Sequence, residues 1–146
     1  MSRQIEKASD LFNNQRYHCS QAVLGAFAED LGITEEQALK IGGCFGAGMC
    51  YGEVCGCVTG ALMAFGLKYG QCRVDDLVSR QKTNDMTIQF MEKFKTENGS
   101  YMCKELLGYD FSKPEEAKII AENKLFLDIC PPLVESAIRI AEKLMV

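Results

Sequence analysis

Apolar residues in the first third of the chain recur at the three- and four-residue spacing of amphipathic helices. The spacing predicts helices over residues 3–15 and 20–31, and Gly32 is a suitable residue to end the second helix. Thr34 is followed three residues later by Gln37, which is the pattern of a capping box. A further short helix is therefore predicted to begin after Thr34.

Glycine is concentrated between residues 42 and 60, and its spacing predicts two different structures. Over residues 42–51 a loop is predicted, because each glycine costs a helix about 1 kcal/mol relative to alanine. Over residues 52–67 the pattern is helical again, and small residues occupy every fourth position. The stripe consists of Gly52, Gly56, Gly60 and Ala64. Another backbone can approach such a stripe closely, either inside the fold or in a homodimer.

The second half of the chain continues the helical pattern. It predicts a long helix over 75–98 and a short turn or helix at 106–108. Pro114 is suited to the first position of a helix that runs to about residue 125. Pro131 and Pro132 interrupt the next apolar run, so the terminal helix is predicted to restart there. No sustained alternation of β-branched residues indicates a strand.

Length and composition fit one soluble domain. The chain has 146 residues, of which 47% are hydrophobic and 25% charged, values typical of a globular protein with its own core. We therefore predict an all-α, single-domain compact bundle of about six helices over residues 1–146, with a glycine/cysteine-rich loop. A net charge of -4 argues against nucleic acid as a partner, because phosphate binding needs a basic surface.

The N-terminal residues are charged and amphipathic, without the apolar core of a secretory signal. The longest membrane-like stretch, residues 57–67, is too short for insertion into a bilayer, since a span takes about 20 residues. We expect a cytoplasmic protein. In a reducing compartment many cysteines indicate metal binding or redox chemistry more often than structural disulfides. This chain has 8 cysteines and 1 histidine, so sites that need two histidines are excluded.

Three groups of residues carry a specific motif. They are Cys19-Ser20-Gln21-Ala22-Val23, Gly42-Gly43-Cys44-Phe45-Gly46-Ala47-Gly48-Met49, and Gly52 through Met63 with Cys55-Gly56-Cys57-Val58-Thr59-Gly60 at its centre. With Cys103 and Cys130, these residues resemble a family of small bacterial and archaeal proteins named for its cysteine pattern, C_GCAxxG_C_C. The resemblance covers nearly the whole chain and implies a redox-active role.

The resemblance also implies which cysteines act. The four characteristic cysteines of the family map onto Cys19, Cys55, Cys103 and Cys130, and Cys57 stands where the family has alanine. The family is similar to a cysteine-bearing module of split-Soret cytochromes, which favours an iron–sulfur cluster held by these four residues. No Cys-x-x-Cys-His occurs, so no c-type haem is expected.

Four thiolates fit either an iron–sulfur cluster or a structural zinc ion. The sequence places Cys19 at the start of a helix, Cys55 in a first helical turn and Cys130, which precedes a proline pair, at an N-cap. Helix N-termini lower the pKa of a thiol, because the free amides favour the anion. We predict that the sulfur atoms of these three residues lie within roughly 7 Å of one another.

The remaining four cysteines lie outside the cysteine pattern of the family that the chain resembles. On a helix Cys55 and Cys57 are about 200° apart, which favours Cys57 as a small core side chain or an accessory thiol. Cys44 and Cys50 lie in the glycine loop and are either core side chains or accessory thiols. Cys72 is predicted in the core, since free cysteine is among the most buried residue types. His18 is predicted at the surface or at a helix cap.

Three functions are compatible with this sequence. The first is electron transfer or redox sensing through an iron–sulfur cluster, with a redox partner protein that the sequence does not identify. The second is thiol–disulfide exchange, with Cys55 as the catalytic nucleophile and another cysteine resolving the mixed disulfide. The third is a zinc-stapled structural or interaction module, in which zinc would stabilise the fold.

Overall fold

The computed structural model describes residues 2–146, and within this range it contains eight α-helices and no strand. The helices are α1 (Arg3–Ser9), α2 (Cys19–Phe27), α3 (Glu35–Gly42), α4 (Gly56–Tyr69), α5 (Leu77–Asn98), α6 (Cys103–Leu107), α7 (Pro114–Glu122) and α8 (Leu125–Leu144). The all-α prediction is confirmed, whereas the expected number of about six helices is too low. Among the described residues, no helix has both the length and the apolar composition of a membrane span.

Helix α2 is the centre of the fold. It packs against α1, α3, α4 and α8, and all but one of its nine residues are buried. A helix with so many small and apolar residues is expected at such a position, because nearly all of its surface is covered by other helices. The cysteine that begins α2, Cys19, is therefore held among several other helices.

Helices α2 and α4 pack closely because α4 has glycines at their contact. A Cβ at Gly60 would lie 2.8 Å from the Ser20 carbonyl oxygen and 3.1 Å from the Val23 Cβ. A Cβ at Gly56 would meet the Ser20 backbone nitrogen at 2.9 Å. The predicted small-residue stripe is thus used inside the molecule from Gly56 onward. Helix α4 begins at Gly56, not near Gly52, so the stripe starts one turn later than predicted.

Between Gly42, where α3 ends, and Gly56, where α4 begins, the chain has no α-helix, in agreement with the loop predicted for most of residues 42–51. A short turn with partly non-helical backbone spans Gly48–Gly52. Ala47, Met49 and Cys50 all have left-handed backbone conformations, with φ of 53°, 56° and 63°. Left-handed geometry costs a residue with a Cβ roughly 1–2 kcal/mol. The surrounding fold therefore holds this turn in place against a local preference for other conformations.

The predicted restart of the terminal helix at the proline pair is wrong. Helix α8 begins at Leu125 and continues through Pro131 and Pro132. Proline has no N–H, so the carbonyls of Leu127 and Asp128 lose the donors they would have four residues later. Burial of the apolar face of α8 against α1, α4 and α5 keeps the helix continuous despite this loss.

Candidate functional site

Three cysteine sulfurs meet in the interior. The Sγ atoms of Cys19, Cys55 and Cys57 all lie within 4.8 Å of one another. Their exposed fractions are 8%, 3% and 0%, so bulk water has little access to them. We call these three residues the thiol triad. The predicted approach of Cys19 to Cys55 is confirmed.

The ends of two helices bring the thiol triad together. Cys19 is the first residue of α2, and Cys55 is the N-cap of α4. Gly56 allows their approach, because a Cβ there would lie only 2.7 Å from the Cys19 sulfur. The side chain that every other residue would carry at this position is incompatible with the contact.

Cys57 belongs to the triad, and the prediction that it faces away from Cys55 is wrong. That prediction assumed that both residues are helical and separated by about 200°. Cys55 instead has an extended conformation, with φ of -53° and ψ of 136°. The helical rotation therefore starts only after Cys55, and both side chains are able to point toward Cys19.

Cys103 is fastened beside Cys55 through the backbone. The Cys55 N–H donates to the Tyr101 carbonyl at 2.8 Å, and the Cys103 N–H donates to the Glu53 carbonyl at 2.6 Å. Cys103 is 7% exposed and is the first residue of α6. The start of this helix was not among the helix starts predicted to carry a cysteine of the site.

Cys130 lies inside α8, so its predicted position at an N-cap is wrong. The predicted role of its helix start in lowering its pKa is lost with it. Cys130 is nonetheless buried, with 5% of its surface exposed, and α8 packs against both α2 and α6. That its sulfur lies within roughly 7 Å of the sulfurs of Cys19 and Cys55 stays a prediction.

Negative charge is not shared equally among the three sulfur atoms of the thiol triad. The thiols of Cys55 and Cys57 donate hydrogen bonds to the Cys19 sulfur, which holds the pKa of Cys19 well below its usual value despite burial. The same hydrogen bonds raise the pKa of Cys55 and of Cys57 well above the usual value. Burial raises the pKa of Cys103 to about 12, with a further contribution from the charge of Cys19.

Burial and the charge of Cys19 also raise the pKa of Cys130. For both Cys103 and Cys130 burial is the larger cause of the raised pKa, and the charge of Cys19 adds to it. Within the thiol triad, Cys19 is the preferred site of negative charge.

The other cysteines are at the surface. Cys44, Cys50 and Cys72 are all exposed. The prediction of a core position for Cys72 is therefore wrong, because the chain around it forms a surface connection between α4 and α5. For Cys44 and Cys50 the core alternative is excluded, and an accessory-thiol role stays a prediction.

The family model described as "Putative redox-active protein (C_GCAxxG_C_C)" matches residues 17–144. The chain belongs to this family. No curated protein and no solved structure shows a significant match. All three residues of the thiol triad lie within the part of the chain that matches this putative redox-active family.

The resemblance places Cys57 of this C_GCAxxG_C_C family member where the family has alanine, so the sequence pattern left Cys57 outside the main site. One signal of its role was nevertheless present in the sequence. A Cys-Gly-Cys at the beginning of a helix places the first cysteine at the cap, where its side chain is not bound by helical geometry. The glycine between the two cysteines then leaves room for a third sulfur.

The donor set fits a metal with a preference for sulfur. Three thiols are close enough for one ion to reach all of them, and thiolates select zinc, copper(I) and iron–sulfur centres. No histidine or carboxylate belongs to this group within residues 2–146. The chemistry of the site is thus that of cysteine alone.

Proposed function

We propose that this chain is a redox protein in which Cys19, Cys55, Cys103 and Cys130 hold an iron–sulfur centre for electron transfer or redox sensing. The observation that carries the proposal is the buried thiol triad, to which the backbone ties Cys103 next to Cys55. Cys130 is also buried, on a helix that packs against α2 and α6. An iron–sulfur centre would supply reversible uptake of single electrons at this position. Cys57 would be an adjacent thiol able to replace one ligand.

The chain's own contribution is to position the sulfurs and exclude water. The paired backbone hydrogen bonds between residues 53–55 and 101–103 fix Cys55 relative to Cys103. The absence of a side chain at Gly56 admits the Cys19 sulfur. Burial of this kind protects thiolate ligands from solvent and shifts the reduction potential of a bound centre.

Anaerobic purification followed by iron and sulfide analysis and a visible spectrum tests the proposal. We expect bound iron and sulfide, and a charge-transfer absorption that bleaches on reduction. Serine at Cys19, Cys55, Cys103 or Cys130 should each lower the bound iron severalfold, since thiolate ligation is lost. Cys72→Ser is the matched control, because Cys72 is exposed, and should keep the iron content of the parent protein.

Two outcomes contradict the iron–sulfur proposal. Protein that holds neither iron nor sulfide, with its buried thiols all titratable after unfolding, would exclude it. Zinc bound in place of iron, without a redox response, would support the zinc-stapled alternative.

The geometry of the triad is close to that of a zinc site. Sulfur ligands of a tetrahedral zinc ion lie about 2.3 Å from the ion and therefore roughly 3.8 Å from one another, so small movements would bring the triad sulfurs to this spacing.

Thiol–disulfide exchange is the second candidate, and the short separation within the triad favours it. The electrostatics support Cys19 as the thiolate, whereas the sequence suggested Cys55, because hydrogen bonds lower the pKa of Cys19 and raise that of Cys55. Equilibration of the metal-free protein with glutathione buffers, followed by peptide mapping, would detect the disulfide. A single reversible pair between triad members supports exchange, and unpaired thiols at every potential oppose it.

A further inference from the structure

One cavity adjoins the thiol triad. It has a volume of about 290 Å³ and lies between the α1–α2 connection, the left-handed turn before α4 and the start of α8. Its wall includes Cys19 but neither of the other triad members. We propose that this cavity binds a small planar aromatic molecule with oxygen acceptors, of the quinone class, against Cys19.

The wall of the cavity is mainly aromatic. Four of its side chains are Phe12, Tyr17, Phe111 and Phe126. The rings of Phe111 and Phe126 have centroids 6.0 Å apart and are tilted by 52°, so they form one continuous face. Aromatic rings bind other rings by offset stacking and edge contacts, which gives such a cavity a preference for flat ligands.

Two side chains of the cavity wall have N–H groups that donate hydrogen bonds. Arg16 and His18 belong to the wall, and the wall contains no aspartate or glutamate. Arg16 is exposed and forms no ion pair within residues 2–146. Guanidinium and imidazole N–H groups bind carbonyl or negatively charged oxygens. A flat ring with oxygen substituents can stack on the aromatic wall and also accept hydrogen bonds from these N–H groups.

The volume limits the size of the ligand. Ligand pockets of proteins commonly measure about 300–1,000 Å³, so this cavity lies at the lower end. A molecule of one or two rings fits such a volume, whereas a dinucleotide or a flavin nucleotide is too large. The quinone class supplies redox-active molecules of the right size and shape.

Electron transfer to a quinone bound in the cavity rests on the proposed function, whereas binding of the quinone does not. A quinone takes up two electrons and two protons and becomes a hydroquinone. If the proposed cysteines hold an iron–sulfur centre, the electrons would be supplied by that centre one at a time and the protons by solvent. In the metal-free alternative, the Cys19 thiolate and the thiol of a second triad member form an S–S bond, which releases two electrons and one proton. These, together with one proton from solvent, convert the quinone to its hydroquinone.

Two probes of nearly equal shape test the binding. They are 2,3-dimethyl-1,4-naphthoquinone, which is neutral, and 2-hydroxy-3-methyl-1,4-naphthoquinone, which is an anion at pH 7.5. Both have substituents on the two reactive ring carbons, so addition of a thiol does not compete with binding. Ligand-observed saturation-transfer NMR on the full chain, purified without oxygen, measures the affinity of each.

Two substitutions locate the site. Leu127 lines the cavity, and Leu127→Trp should fill it and weaken both probes about tenfold or more. Arg16→Gln should weaken the anionic probe about five- to tenfold and change the neutral probe less than about twofold. Arg80→Gln on α5 is the control for the loss of an exposed cation, and should leave both affinities unchanged. If Leu127→Trp does not fold, Phe111→Leu removes one ring from the wall instead, with a smaller loss expected.

The outcomes separate the inference from the proposed function. Absence of saturation transfer at millimolar probe, or binding that none of the cavity substitutions weakens, overturns the inference. Mixing the reduced protein with either probe under anaerobic conditions should form hydroquinone, followed by its absorbance. Binding without hydroquinone formation counts against the proposed function and leaves the cavity assignment standing. A redox-active centre in protein that binds neither probe supports the proposed function and overturns the cavity assignment.

Discussion

Two glycines determine how closely the thiol triad can assemble. At Gly56 an added Cβ would meet the Cys19 sulfur, and at Gly60 it would meet the Ser20 carbonyl oxygen. Neither obstacle is the flexible end of a long side chain, so neither can move away at low cost. Gly66, on the same helix, has no atom within 4 Å of an added Cβ. The same substitution therefore has opposite effects at different positions of α4.

We expect Gly60→Ala to lower the free energy of unfolding by about 1–3 kcal/mol, as overpacking of a close helix contact does. Gly66→Ala should raise it by up to about 1 kcal/mol, because alanine favours the helix and its methyl group meets no obstacle. Urea denaturation followed by circular dichroism measures both. A stabilising Gly60→Ala would show that α2 and α4 are not packed as closely as described.

At the scale of the element, α8 shows how tertiary packing overrides local preference. Proline inside a helix removes a hydrogen bond and crowds the preceding turn, at a cost of about 3 kcal/mol. Pro131 and Pro132 nevertheless lie within α8, whose apolar residues include the buried Val134 and Ile138. Pro132 is exposed, so its ring contributes little to the core.

Pro132→Ala should therefore stabilise the protein by about 1–2 kcal/mol. The gain is smaller than the full cost of a helical proline, because alanine also gives the unfolded chain more freedom. Pro114→Ala is the matched control, since Pro114 is at the first position of α7, where proline is favourable. Pro114→Ala should leave the stability unchanged or lower it slightly. The midpoint of thermal unfolding of each variant is compared with that of the parent protein, and a lower midpoint for Pro132→Ala would contradict the expectation.

At the scale of the whole molecule, polar side chains join α5 to α8 beside the core. Glu97 accepts a hydrogen bond from the Ser136 hydroxyl at 2.7 Å and another from Arg139 at 2.6 Å. Asn98 donates to the Ser136 hydroxyl oxygen at 2.9 Å. Ser136 is 3% exposed, so this network satisfies a hydroxyl that would otherwise be buried without a partner.

The Ser136 hydroxyl, and then Arg139, hold the pKa of Glu97 below its ordinary value of 4.5. A lowered carboxyl pKa stabilises the fold well above that value, and the contribution is lost as the pH falls toward the lowered pKa. Glu97→Gln should cost about 0.5 kcal/mol at pH 7, since the carboxylate is partly exposed. The difference from the parent protein should shrink between pH 5 and pH 3, as urea midpoints at each pH would show.

Glu92→Gln is the control for this pH dependence. Glu92 is on the exposed surface of α5 and accepts no hydrogen bond from a side chain among the described residues. Its substitution should change stability little at any pH. If Glu97→Gln and Glu92→Gln have the same pH profile, the network between α5 and α8 does not contribute as proposed.

Local features of the chain determined most of the helices. The capping box predicted from Thr34 and Gln37 forms, with reciprocal hydrogen bonds of 3.0 Å, and Pro114 begins α7. Cys19 is at the start of α2 as predicted. These features depend on residues within one turn of each other, so the order of residues alone is sufficient to specify them.

Only the tertiary structure decided how the sulfurs assemble. The direction of Cys57 depends on the extended conformation of Cys55, and the continuity of α8 through Pro131 depends on the helices that pack on it. Both are set by contacts between residues far apart in the chain, which periodicity and spacing do not report. The sequence thus determined which thiols are available, whereas close packing of α2 on α4 determined which of them meet.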